Sequence, residues 1–427
     1  MREISYDRLH QTLIQDKLDN GLVVYLLPKP GFQQTFATFT TRYGSIDRTF
    51  KLQGAAEPTT VPDGIAHFLE HKMFEKEHGD VFPEFAKHGA SANAFTTFDL
   101  TTYLFSCTDD VAKNTEVLLD FVQDPWFSER SVEKEKGIIG QEIRMYDDNP
   151  DWLVFFNLLQ AMYKEHPVQV PIAGTVESIA KIDPDTLYQC HKTFYHPSNM
   201  VFFAVGGFEP KAMLQWIREN QAKKQFGPAP VVERIFPEEP PQVDAPEVTA
   251  KLGVSQPRCF IGWKDAKTGL TGPEQLEQEI LTGVLLDALF GRSSDFYHRL
   301  IDENLIDQNF SWEYECAPTY GYSVVGGNTP NPQRLVQTVQ TLLTEAQQRG
   351  VSEEDFERSR RKAIGRFITS VDNPNYVARA FVSYALRGAD MFETADVLER
   401  ITLEQANQRL REHFVPEQRS VSMVLPK

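Results

Sequence analysis

Cysteine is scarce and scattered in this chain: Cys107, Cys190, Cys259 and Cys316 are the only four, and no two form a C-x-x-C pair. That spacing speaks against a disulfide framework or a thiolate metal site and suits reduced interior residues. Long apolar runs are missing too. No stretch of eighteen uncharged apolar residues occurs, and the start, Met1-Arg-Glu-Ile-Ser-Tyr-Asp7, lacks the basic and apolar regions of a secretion signal. The expectation is a cytoplasmic protein with no membrane partner. Basic residues are outnumbered, 43 against 60 acidic ones, for a net charge of −17. A general phosphate-attracting surface is thereby disfavoured, so nucleic acid is not expected as a partner, and basic peptides are slightly favoured.

What is present is a chain of 427 residues, 41% of them hydrophobic, enough for two or three domains with sizeable cores. Residues 225–250 carry Gly227-Pro-Ala-Pro230, Pro237-Glu-Glu-Pro-Pro241 and Ala245-Pro246, and read as an extended linker between domains at 1–224 and 251–427. The two flanks repeat faintly. Ile182 to Pro197 recurs as Ile401 to Pro416, each with a Phe shortly before the Pro and an alternating, strand-like run after it, and Asp148-Asn-Pro150 recurs as Asp372-Asn-Pro374. Periodicity predicts strands near 22–27, 35–42 and 200–206. It predicts helices near 62–75, 110–123, 129–147, 274–290, 332–349, 352–370 and 402–413. The fold class is therefore α+β, with two related domains, each an antiparallel sheet covered by helices.

The chemistry is concentrated in Gly64-Ile-Ala-His67-Phe-Leu-Glu70-His71-Lys-Met-Phe74, which spells H-x-x-E-H. On a helix, residues four apart stand one turn above each other, so both imidazoles reach one ion and Glu70 projects beside them. Pro62-Asp-Gly is expected to supply the cap. Zinc takes neutral imidazole and carboxylate ligands and keeps a coordination position for water at catalytic sites, so a third protein ligand and a proton-accepting Glu are required. Residues 129–147 offer carboxylates on one face of a second helix. Glu142, between Ile139 and Ile143, is assigned to the metal, and Glu135, two turns earlier, to orienting a ligand histidine. Glu133 is better read as part of a solvated charged face. Manganese or cobalt would fit the same donors.

These residues resemble the peptidase family of pitrilysin, insulysin and mitochondrial processing peptidase, whose inverted H-x-x-E-H motif marks the inverzincins. The resemblance spans the chain and implies one Zn2+ per chain, held by His67, His71 and Glu142. It implies Glu70 as general base and then acid, with unfolded peptides as substrates. Ala90-Ser-Ala-Asn93-Ala94-Phe-Thr96 is similar to the family's strand that pairs with substrate backbone, with Asn93 and Ala94 as the matching residues. Read alone, it is an ordinary β-prone segment. In the family the second half is a degenerate copy without metal. Here Arg366 falls opposite Glu142, and Gly283 to Phe290 fall opposite Gly64 to His71.

One departure bears on assembly. The family's second half carries an Arg and a Tyr that hold substrate backbone, whereas this chain places Ile301 and Asp307 there, with Arg299 two positions away. Neither an aliphatic group nor a carboxylate donates to a peptide carbonyl. The resemblance then implies a heterodimer in which a metal-free paralogue supplies the Arg and Tyr, with a homodimer as the other arrangement. The alternative functions are a dedicated maturation peptidase for one precursor and a non-catalytic assembly or peptide-binding subunit.

Overall fold

In the computed structural model, which describes residues 1–427, the chain forms two compact units. The first is built on a seven-stranded sheet of β1 (Arg2–Tyr6), β2 (Gln11–Lys17), β3 (Val23–Pro28), β4 (Thr35–Thr41), β5 (Ser91–Thr96), β6 (Thr101–Cys107) and β7 (Met200–Gly206), in the order β1-β2-β3-β7-β4-β6-β5. The second holds a five-stranded sheet of β8 (Glu247–Leu252), β9 (Arg258–Lys264), β10 (Ser311–Cys316), β11 (Gly321–Asn328) and β12 (Arg419–Pro426), in the order β8-β12-β9-β11-β10. Without β1 and β2 the two orders are the same: first strand, last, second, fourth, third. Both sheets are antiparallel except for one pair each, β3 with β7 and β8 with β12. The last strand in each case enters from a helical crossover rather than a hairpin, which is what a parallel neighbour requires. Met-Val-Phe-Phe-Ala-Val-Gly of β7 is buried on both faces, as an apolar run in a central strand should be, while β5 is the half-exposed edge.

The helices used below are α1 (Ile65–Met73), α2 (Val111–Gln123), α3 (Glu129–Asp147), α4 (Pro150–Met162), α5 (Pro184–Phe194), α6 (Gly272–Phe290), α7 (Glu353–Ser370), α8 (Pro374–Leu386) and α9 (Leu403–His413). The repeated segments fold alike: α5 leads into β7, and α9 into β12. The repeated Asp-Asn-Pro is a helix start in both places. Asn149 Oδ1 accepts from the Asp151 and Trp152 amides, and Asn373 Oδ1 from those of Asn375 and Tyr376. Proline at the first helical position costs nothing there, since its missing N–H would have no partner.

The two helices so started, α4 and α8, each pack on the sheet of the other half of the chain. Leu158 and Met162 of α4 press against Gly262 in β9, where an added Cβ would meet them at 2.9 Å. Phe381 of α8 stacks on Phe203 at 4.4 Å and meets Tyr25 edge-on at 4.9 Å. Burial of Val377, Phe381 and Val382 is worth roughly 1.5–3 kcal/mol each. The compact units are consequently discontinuous: residues 1–143, 171–235 and 370–386 form one, and 144–170, 236–369 and 387–427 the other. They differ in this from the contiguous 1–224 and 251–427. A helix's apolar stripe shows that it is buried, not which sheet covers it.

The proline-rich stretch is ordered rather than free. Val232–Arg234 adds to the strand Thr49–Leu52, with Arg234 paired to Asp47 at 2.8 Å. In the second unit Glu239 accepts from the amides of Lys164, Glu165 and His166. No helix is long and apolar enough to cross a membrane.

Candidate metal centre

Helix α1 is placed by its apolar side, with Ile65, Phe68, Leu69 and Met73 buried. Its start falls in the expected Pro62-Asp-Gly segment, though no side chain makes the cap. The capping position is Gly64 itself, in the left-handed region at φ 88°, with no side-chain hydrogen bond, and Asp63 turns instead to Arg48 at 3.2 Å. A Cβ on Gly64 would lie 2.4 Å from the Ala173 carbonyl oxygen, so the backbones of 63–64 and 173–174 approach too closely for any other residue.

This close seat leaves His67 and His71 on one side of α1, their ring centroids 4.5 Å apart, facing α3. Glu142 reaches both: its Oε1 lies 3.7 Å from His67 Nε2 and its Oε2 3.6 Å from His71 Nε2. These separations are too long for hydrogen bonds, and they are close to the spacing of about 3.3–3.6 Å between ligand atoms on a tetrahedral zinc. The three residues are the one group of histidine, cysteine or acidic side chains in the chain whose donor atoms lie within 4.8 Å of one another. An imidazole, imidazole, carboxylate set of this size fits a divalent cation. Glu135 stands where an orienting residue is needed, with Oε1 3.1 Å from His71 Nδ1, which directs Nε2 toward Glu142. Burial, then the charge of His71, brings His67 down to about 4, so it is neutral at physiological pH and able to ligate. Burial works against protonation of His71, yet the Glu135 hydrogen bond and the surrounding carboxylates hold it above the ordinary histidine value.

Glu70 is 8% exposed, and burial pushes its carboxyl up to about 7, against the opposing pull of a hydrogen bond from Thr96. Thr96 Oγ1 donates to Glu70 Oε2 and touches Thr101 Oγ1 at 3.3 Å. The sequence reading did not single out Thr96. The only signal was its place two residues past Ala94, on the same face of a strand.

Asn93 and Ala94 lie on β5, the free edge of the first sheet. The Ala94 amide is taken by the Asn93 side chain at 2.8 Å, an arrangement that covers part of that edge. In the second unit Ile301 is 39% exposed and donates nothing. Asp307 accepts from Asn328 and from the Asn309 amide, both at 2.8 Å, and Arg299 is engaged by Glu303 and Glu345. The corresponding helices α6 and α7 carry an ion pair in place of ligands: Asp287 meets Lys362 at 2.7 Å and Arg366 at 4.0 Å.

Residues 53–176 match the model of the insulinase family, peptidase family M16, and residues 181–363 match that of the peptidase M16 inactive domain. The chain is 47% identical, over the whole of both sequences, to a Bacillus subtilis protein called an uncharacterized zinc protease, YmfH. It is 26% identical to a second, YmxG, covering 87% of this chain and 91% of that one. A crystal structure of a putative M16-like peptidase from Alicyclobacillus acidocaldarius superposes with a TM-score of 0.96 at 47% identity, covering 99% of this chain and 100% of that one. Pitrilysin shares the fold at a TM-score of 0.77 and 14% identity, with 100% of this chain covering 46% of that one.

Proposed function

The chain belongs to the M16 insulinase family of peptidases, and from that premise we propose that it is a zinc-dependent endopeptidase subunit that cuts unfolded peptides and shares its substrate site with a metal-free paralogous subunit. The observation that carries this reading is the convergence of His67, His71 and Glu142 beside a buried Glu70.

When bound, zinc supplies Lewis acidity toward the scissile carbonyl and makes water acidic near neutral pH. His67 and His71 present Nε2, and Glu142 its carboxylate. Glu135 fixes the His71 ring by holding Nδ1. Glu70 takes the proton from the attacking water and returns it to the leaving amine, a double duty that suits a carboxyl whose burial brings its pKa near the working pH. Thr96 holds one oxygen of that carboxylate and so sets the direction in which the other faces. The peptide adds as a strand to β5, where main-chain hydrogen bonds give affinity with little regard for sequence. The partner enters the reading because Ile301 and Asp307, which stand where the family has its Arg and Tyr, offer no side-chain donor to a substrate carbonyl. Four buried, unpaired cysteines suit a reducing compartment, and we place the protein in the cytoplasm.

The test is hydrolysis of a quenched, unfolded peptide by the zinc-loaded chain, alone and mixed with a metal-free paralogue of the same source. Turnover only in the mixture supports the shared site. Full turnover by the chain alone removes the partner from the proposal, and none in either case removes the peptidase.

A further inference from the structure

The free edge strand has two faces, and only one looks toward the metal residues. Thr96 points to Glu70 on α1, so Ala94 shares that side, while Asn93 and Phe95 point to the opposite face of the sheet. The register agrees. Phe95 pairs with Thr102 and Thr102 with Thr40, whose hydroxyls meet at 2.9 Å on this face. The neighbouring row runs Asn93, Leu104, Thr38, Phe203, and Phe203 is the residue on which Phe381 of α8 stacks. Helix α8 therefore overlies the face away from the metal. Its Arg379 guanidinium lies over the Phe95 ring, 5.2 Å from the centroid, steadied by Nε donating to Asn375 Oδ1 at 3.0 Å. Arg379 is exposed, and so is Tyr376 one turn before it, at 44%.

A peptide added to β5 alternates its side chains between these two faces. The residue level with Phe95 falls on the α8 side, within reach of a cation already held in place by an aromatic ring. We propose that Arg379, presented on Phe95, selects an acidic side chain at that position of the peptide. This rests on β5 being the docking edge. It adds one charge-selective subsite to a surface that otherwise reads backbone.

The experiment uses the full-length chain carrying Glu70→Gln together with its metal-free paralogue, so that peptides bind without being cut. Labelled unfolded peptides of one sequence are compared by fluorescence anisotropy with Glu, Gln or Lys scanned along them. At one position Glu should bind about threefold more tightly than Gln, the scale of a partly exposed charge pair, with Lys weakest. Arg379→Gln should erase the difference and Arg379→Glu reverse it in favour of Lys, a reversal that loss of folding cannot produce. Phe95→Leu should narrow it. Equal affinities at every position, a Glu preference that survives Arg379→Glu, or no binding at all overturns the inference. Hydrolysis by the zinc-loaded parent chain, with its paralogue, is measured alongside. Preference without cleavage leaves Arg379 as the selector and removes the peptidase reading, and cleavage without preference does the reverse.

Discussion

Glu135 Oε1 lies 3.1 Å from His71 Nδ1 while His71 Nε2 is turned to Glu142. The two carboxylates of α3 thus face opposite ends of one imidazole, and the sequence interval of seven between them is two helical turns. Replacing Glu135 with Gln keeps the shape and removes the charge that favours an Nδ1 proton. Zinc affinity, measured by competition with a chelator, should fall about 10–100-fold. An unchanged affinity would leave Glu135 without an orienting role.

Glu70→Gln should separate binding from chemistry. Metal content by elemental analysis should equal that of the parent, while hydrolysis falls by about 10²–10⁴-fold for loss of the proton acceptor. Thr96→Val removes a hydrogen bond to a charged group and should cost about tenfold in turnover, and Thr96→Ser, which keeps the hydroxyl, should restore most of it. Turnover in Thr96→Val equal to the parent would show that the Glu70 carboxylate needs no such support.

Much of this was legible in the residues. Helices predicted at 129–147 and 332–349 occur as Glu129–Asp147 and Pro332–Arg349, and the strand at 200–206 as Met200–Gly206, because their apolar periods are long and uninterrupted. His67 and His71 could be grouped because helical spacing converts sequence interval into distance, whereas Glu142, on another helix, was joined to them by its apolar neighbours Ile139 and Ile143 and by the family resemblance. Three features could not be read. The exchange of α4 and α8 depends on which sheet is nearest after folding. β1 and β2 have a mixed pattern, with only Leu13, Ile14 and Asp16 buried among twelve residues. The hydrogen bond from Thr96 to Glu70 joins an edge strand to a helix across 26 positions of chain, and no local pattern reports such a pair.

Gly64→Ala should damage the candidate metal centre from outside it. The substitution places a Cβ 2.4 Å from a backbone oxygen and asks alanine to hold φ 88°. A loss of roughly 1–3 kcal/mol is expected in urea unfolding, with zinc affinity reduced as α1 shifts. Parent-like stability would mean that the 63–64 and 173–174 backbones separate freely.

Two buried histidines should weaken the fold as pH falls below about 6.5. Burial brings both His166 and His191 from 6.5 down to about 4. His166 Nδ1 accepts from the Val168 amide at 3.1 Å and its Nε2 meets Thr319 Oγ1, so an added proton would displace an acceptor the chain already uses. His191 Nε2 lies 3.0 Å from the Val122 carbonyl at the end of α2. In the unfolded chain both rings take a proton near pH 6.5, while in the folded chain they resist until about 4. Their contribution is therefore complete above about 6.5, declines by about 1.4 kcal/mol per pH unit for each ring as pH falls toward 4, and is flat below. Glu70 opposes this, because its raised pKa makes the folded state the better proton binder between about 7 and 4.5. The effect is accordingly read as a difference, by urea unfolding at pH 7.5, 6.0 and 5.0 of the parent and of a His166→Gln, His191→Gln double variant. The variant should be less stable at pH 7.5 and lose less on acidification. Parallel pH profiles for the two chains would show that these rings protonate as readily folded as unfolded.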